Sequence, residues 1–221
     1  MLMNLTDTTD RSYCLPWQNF WHLVDAMFAM SADDSRPQHV SGADTSEVAL
    51  AQNGDHEAFA RLIGRHQAII ADQMRRFSRD ADTIEELVHE VFVEAFVSLK
   101  SYRSRAPFLH WLRKIAVRTG YRFWTRKKKE RSHAVPLTAV KGELERLGPT
   151  SDPSPSDASQ VLGDLLEHLP PRDRLVLTLL YWDGCTVAEA AELSGWSQTM
   201  VKVQAFRARK RLKALIEETE K

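Results

Sequence analysis

The sequence predicts an all-α protein built as two small helical domains joined by a flexible linker. Three observations carry that expectation. Apolar residues recur at three- and four-residue spacing in every long segment, and no segment alternates with period two. Helix-start and helix-stop residues punctuate those segments at the right places. One stretch, GPTSDPSPSDAS at 148–159, holds no bulky apolar residue and reads as the boundary between domains. A chain of 221 residues is long enough to be divided in this way.

Residues 1–45 form an acidic extension, with Asp7, Asp10, Asp25, Asp33, Asp34 and Asp44 set against Arg11 and Arg36. Trp17, Phe20, Trp21, Val24 and Phe28 fall at helical spacing inside it. That aromatic stripe suits a short helix docked on its own domain or, alternatively, a partner-binding helix. Met30 offers a second start codon position ahead of the polar lead into Ser46.

The first domain is expected at 46–132. A short helix ends at Gly54, and Asp55 caps a second carrying Phe59, Leu62, Ile63, Ile69 and Ile70. Asp82 and Glu85 read as a capping box for a third, with Ile84, Leu87, Val88, Val91, Phe92, Ala95, Phe96 and Leu99 on its apolar side. After the loop SYRSRA, Pro107 suits the first turn of a fourth helix that runs through Trp111, Leu112, Ile115 and Ala116 to Trp124 and a run of three lysines. A linker is expected at 133–160 and a second domain at 161–221. There, Pro170 and Pro171 break LLEHL from a helix over about 172–182 that stops at Asp183-Gly184. Thr186 and Glu189 form a capping box, the following helix ends at Ser194-Gly195, and Ser197 caps the last long helix. Two helices on a tight glycine-containing turn, the second one basic, make the pattern of a helix-turn-helix.

Formal neutrality hides a segregation of charge. Residues 98–131 hold twelve Lys or Arg and one acid, a net +11, and residues 200–213 hold six and none, a net +6. The remainder of the neutral chain therefore carries −17. Lys and Arg on a single helix face are usually solvated, but two long blocks almost free of acid point to two separate polyanion contacts. Aromatic residues stand among the cations of the first block: Trp111, Tyr121, Phe123 and Trp124 between Arg113, Lys114, Arg118, Arg122 and Arg126. Cations hold a nucleic-acid backbone and aromatic faces stack unpaired bases, so this block suits a melted strand. Trp111 also lies on the apolar side with Leu112 and Ile115, where a core role competes.

Other classes are disfavoured. Cys14 and Cys185 stand alone, without a CxxC or a Cys/His cluster, which fits a reducing cytosol and neither a disulfide framework nor a zinc site. The segment 17–30 is interrupted by Gln18, Asn19, His22 and Asp25 and has no preceding basic cluster, so neither a signal peptide nor membrane insertion is expected. Glu86 and His89 make one E-x-x-H, but a di-iron bundle needs a second copy and further carboxylates. No Gly-rich phosphate loop, Ser/His/Asp set or nucleophile elbow is evident. Catalytic residues, metal ligands and cofactors are therefore not expected.

These segments resemble, in order, those of a bacterial RNA polymerase sigma factor of the extracytoplasmic-function (ECF) subfamily of the sigma-70 family. ALAQNGDHEAFARLIGRHQAII resembles the start of its region 2, DTIEELVHEVFVEAFVSLKSYR the part that grips core polymerase, and APFLHWLRKIAVRTGYRFWTRKKK the helix for the minus-10 element. LPPRDRLVLTLLYWDGCTVAEAAELSGWSQTMVKVQAFRARKRL resembles region 4, which reads the minus-35 element with a helix-turn-helix. The resemblance implies an alternative sigma factor of the cytoplasm, with core RNA polymerase (its beta' and beta subunits), promoter DNA and an anti-sigma factor as partners. It implies minus-35 contacts from Gln198, Thr199, Lys202, Val203, Phe206, Arg207 and Lys210. Minus-10 contacts are implied for Arg103, Arg105, Trp111, Arg113, Lys114, Arg118, Tyr121, Arg122 and Trp124, and core contacts for Glu85, Glu86, Glu90 and Glu94. The chain departs from the family pattern where V-K-S-R becomes Val201, Lys202, Val203, Gln204, and where Val117, Arg118 and Arg122 replace small or polar residues. A one-component helix-turn-helix regulator, acting without polymerase, is the competing reading.

Overall fold

A computed structural model describes residues 41–130 and 163–219. The aromatic stripe at 17–28 and the linker stretch at 148–159 lie outside the described residues. In the first unit, α1 (Ser41–Gln52), α2 (His56–Met74), α3 (Ala81–Ser98) and α4 (Phe108–Glu130) pack around Val48, Leu62, Ile70, Met74, Leu87, Val91, Leu112 and Ile115. In the second, helical residues 163–168 precede α5 (Pro171–Leu177), α6 (Val187–Ser194) and α7 (Gln198–Thr219). No strand occurs among the described residues.

Local chemistry sets the helix ends. The Asp55 carboxylate accepts from the backbone N–H groups of Glu57 and Ala58 at the start of α2. Gly54 turns the chain ahead of it at φ +99°, where a Cβ would be strained. The capping box expected on Asp82 and Glu85 is not the one that forms. Asp80 caps α3 instead, its Oδ2 accepting from the Thr83 hydroxyl and from the Thr83 N–H at 2.9 Å, and those bonds, the hydroxyl first, lower its carboxyl pKa. The Thr186–Glu189 box does form in full, and Gly195 closes α6 in the left-handed region.

The first described helix includes Asp44 as an internal partner: it pairs with Arg65 and lies 3.1 Å from Nε2 of the buried His66. The helix expected over 172–182 does run to Trp182, but its last turn, Thr178–Trp182, is π-helical, closed by Asp183 N–H to Thr178 O at 2.9 Å. That wider turn brings Trp182 and Asp183 to Arg76 in the first unit, with the guanidinium Nε 3.2 Å from Asp183 and Cζ 5.7 Å from the Trp182 ring.

The two units share one continuous core, and α4 lies between them. One side of α4 packs into its own bundle through Phe108, Leu112, Ile115, Ala116 and Thr119. A stripe at alternating four- and three-residue spacing, His110, Lys114, Val117, Tyr121 and Trp124, runs along another side. The second unit meets it there. Gly120 sits where α4 crosses Phe77, and a Cβ built on it would overlap the Phe77 ring. Gly120→Ala should therefore destabilise the fold by about 1–3 kcal/mol through overpacking, read as a lower denaturant midpoint with unchanged slope.

Candidate nucleic-acid interface

The loop between α3 and α4 is held open by three hydrogen bonds. Gln52 Nε2 donates to Leu99 O at 2.9 Å and Tyr102 O at 2.8 Å, and the Tyr102 hydroxyl donates to Ala106 O at 2.6 Å. Ser104 adopts φ +52°, a left-handed conformation unusual for serine. Tyr102, Phe108 and Trp111 pack against one another edge-on or tilted, at centroid distances of 5.0–5.8 Å. They leave Trp111 half-buried, facing both the core and a cleft of about 420 Å³ lined by Tyr102, Arg103, Arg105 and Lys114. A cleft with cations at its rim and aromatic walls has the chemistry to take an unstacked base.

Along α4 the expected residues divide into three groups. Arg113 and Arg118 are exposed, as are Arg103 and Arg105 in the loop. Lys114 is engaged: its Nζ lies 2.6 Å from Glu192 of α6, and His110 Nε2 lies 3.0 Å from the same carboxylate. Those bonds, Lys114 first, hold the Glu192 carboxyl below the ordinary range. Arg122 bonds back to Glu90 and Glu94 of α3, so three residues expected in two different interfaces neutralise one another here.

Trp124 differs most from expectation. It is 4% exposed, its Nε1 donates to Phe77 O at 2.8 Å, and the Arg174 guanidinium sits 4.0 Å from its ring centroid. Tyr121 is half-buried against Trp196 at 6.3 Å. In this closed arrangement neither indole nor phenol is presented to a strand. Sequence periodicity placed Trp124 among cations on one helix and could not show that a residue fifty positions away covers it.

In the second unit α6 and α7 form a helix-turn-helix around Ala190, Ala191, Val201, Ala205 and Ala208, all buried. Ser197 Oγ accepts from Met200 N–H at the start of α7. Gln198, Thr199, Lys202, Val203, Phe206, Arg207 and Lys210 are all exposed, with Thr199, Val203, Phe206 and Lys210 on the side opposite Val201, Ala205 and Ala208. Gln204 and Arg211 turn the other way and bind the fully buried Asp173 of α5. A second cleft, about 610 Å³, opens between α4 and this unit and brings Lys128, Lys129, Arg172 and Arg207 together. The two basic blocks, distant in sequence, share that cleft.

The acids expected to face a protein partner also divide. Glu85 and Glu86 are exposed, whereas Glu90 and Glu94 are tied to Arg122. Beside them stands an apolar patch that the helical stripe did not single out: Val93 at 48% exposure and Val97 at 77%, with Phe96 at its edge against Phe59. The available signal was that Val93 and Val97 fall outside the buried three- and four-residue repeat.

Comparison with known proteins agrees with this geometry. Residues 62–130 match Sigma-70 region 2, and residues 159–212 match Sigma-70, region 4. The ECF RNA polymerase sigma-E factor of Haemophilus influenzae is 27% identical over 182 residues, covering 79% of this chain and 95% of that protein. The Escherichia coli K12 protein of the same name is 28% identical over 170 residues, covering 73% and 88%. Among solved structures, CnrH in complex with the cytosolic domain of CnrY aligns with a TM-score of 0.51 and 25% identity, over 80% of this chain and 98% of that one. The chain belongs to the sigma-70 family of RNA polymerase sigma factors. Within that family it is an alternative sigma factor of the ECF group.

The Lys114–Glu192–His110 contact gives the closed arrangement an electrostatic component. Because the Glu192 pKa is lowered, its contribution is present above the ordinary carboxylate range and is lost as pH falls through the lowered value. Glu192→Lys should open the two units, increasing the radius of gyration in small-angle scattering while helical circular dichroism stays constant. No change in radius would mean that the remaining contacts hold the units together without this pair.

Proposed function

We propose that the chain binds core RNA polymerase through α3, reads the minus-35 element with α7, and helps melt the minus-10 element with α4 and the α3–α4 loop. The observation that carries this reading is the exposed face of α7. Every residue expected to reach DNA there points outward from a helix anchored by Val201, Ala205, Ala208 and Leu212. Phosphate contacts from the exposed cations position the duplex, and base-edge contacts give the sequence preference. A division into domains at 46–132 and 161–221, with a linker at 133–160, would let each reach its own promoter element.

Acting on promoters, it would work in the cytoplasm. Among the described residues no helix is long and apolar enough to cross a membrane. A role in initiation assigns it no catalysis and no cofactor. CnrH forms a complex with the cytosolic domain of CnrY; together with the family resemblance, that likeness leads us to assign this chain an anti-sigma partner. A one-component regulator would bind DNA without polymerase. Run-off transcription with purified core enzyme and the full chain separates the two, since only the sigma reading requires core for promoter-specific initiation.

Residue roles follow. Lys202→Ala and Arg207→Ala should each cost about 1–3 kcal/mol of holoenzyme affinity for the cognate minus-35 sequence and much less for scrambled DNA. Lys210→Ala should weaken all sequences alike and flatten the salt dependence, the mark of a phosphate contact. Equal losses on cognate and scrambled DNA for all three would remove base reading from this face.

On α3, Glu85→Lys combined with Glu86→Lys should weaken capture of core polymerase in a pull-down, because both carboxylates are exposed and make no ion pair among the described residues. Glu90 and Glu94 are poor test sites, since reversing either one also releases Arg122.

A further inference from the structure

The centre of the α7 face is apolar. Val203 is 44% exposed and Phe206 65%, the latter without a ring contact among the described residues, and they stand three positions apart on the side opposite the buried Val201, Ala205 and Ala208. Thr199 and Lys210 continue the same line, with Lys202 and Arg207 to either side. The polar side chains next in sequence do not compensate. Gln204 and Arg211 are committed to Asp173, which is 0% exposed and would be left as a buried unpaired carboxylate if they turned outward. An exposed phenylalanine in the middle of a recognition helix, kept clear of its own core, calls for an apolar counterpart on the ligand.

A major groove offers one. Adenine, guanine and cytosine present hydrogen-bonding groups and ring C–H edges there, and thymine alone adds a C5-methyl. Pressing Val203 or Phe206 against N7, O6 or an exocyclic amine would strip that group of water without replacing the bond. Against a thymine methyl the same contact removes apolar surface from water. Three residues along a helix advance about 4.5 Å, close to the roughly 3.4 Å between stacked base pairs, so the two side chains reach neighbouring steps.

We infer that Val203 and Phe206 are specificity-determining residues that read the methyl groups of thymines on adjacent base pairs of the minus-35 element. This rests on the assignment of α7 to that element. Lys202 and Arg207 then bracket the apolar pair and supply the hydrogen bonds and charge that fix its register.

Uracil tests this directly, since it differs from thymine only by the methyl group. The preferred minus-35 sequence is selected from a randomised duplex pool with reconstituted holoenzyme. Each thymine of that sequence is then replaced singly by deoxyuridine. Two neighbouring positions should each lose roughly fourfold in affinity, the scale of one buried methyl. Phe206→Ala should abolish the loss at one position and Val203→Ser at the other. Both side chains are exposed, so the variants should keep the wild-type circular dichroism. Uracil without effect at every position, with the Lys202→Ala loss still concentrated on the cognate sequence, would overturn the methyl reading and leave the minus-35 assignment intact. A holoenzyme that selects no minus-35 sequence at all would overturn the assignment itself. Phe206→Ala binding as wild type with thymine and uracil alike would also defeat the inference.

Discussion

The two helical units meet at the indole of Trp124. Its Nε1 donates to the Phe77 carbonyl, Phe77 packs on it at 4.5 Å, and the Arg174 guanidinium of the second unit lies 4.0 Å from its centroid. A buried indole must satisfy its one donor, and Phe77 O does so while fixing the turn between α2 and α3. A cation over a desolvated tryptophan face is worth more than one in water. Arg174 thereby ties α5 to α4. Arg76 with Asp183 and Trp182, Arg79 with Asp164, and Lys114 with Glu192 extend the contact to either side.

That arrangement governs which cations are available to DNA. Several of those on the first unit are satisfied internally, Arg122 by Glu90 and Glu94, and Lys114 by Glu192. Ion pairs at such exposed positions contribute little to stability, so a phosphate backbone can displace the acid without unfolding anything. Asp183 is different. Burial pushes its carboxyl up while Arg76 works against that shift, so the contact at this point depends on the two units staying closed. Promoter engagement by Tyr121 or Trp124 therefore requires separation of the units, whereas engagement by α7 does not. The outward face of α7 is open in the closed form, and the two promoter elements need not be met in one step.

Much of this was legible in the residues themselves. Asp55, the Thr186–Glu189 pair, Gly195 and Ser197 mark helix ends through bonds that span only a few positions. The stripe that buries Val201, Ala205, Ala208 and Leu212 follows from periodicity alone, and so does the outward face carrying Lys202 and Phe206. Where local signals competed, reading them was less reliable. Both Asp80 and Asp82 suit an N-cap, and the one that won already has Thr83 within reach of both its backbone and hydroxyl donors. The π turn at Thr178–Trp182 leaves no such mark, because an inserted residue keeps the same apolar composition.

By itself the sequence determined the all-α class, the order of the helices, the division into two units and the charge segregation that points to DNA. Each of these depends on residues close together in the chain or on composition. The tertiary structure decided which of the candidate groups are free. Arg122 meets Glu94 across 28 residues, Gln204 meets Asp173 across 31, Trp124 meets Phe77 across 47 and Lys114 meets Glu192 across 78. No periodicity within a single helix encodes partners at such separations. They arise only when packing brings the units together, and that packing leaves Val203 and Phe206 exposed while it buries Trp124.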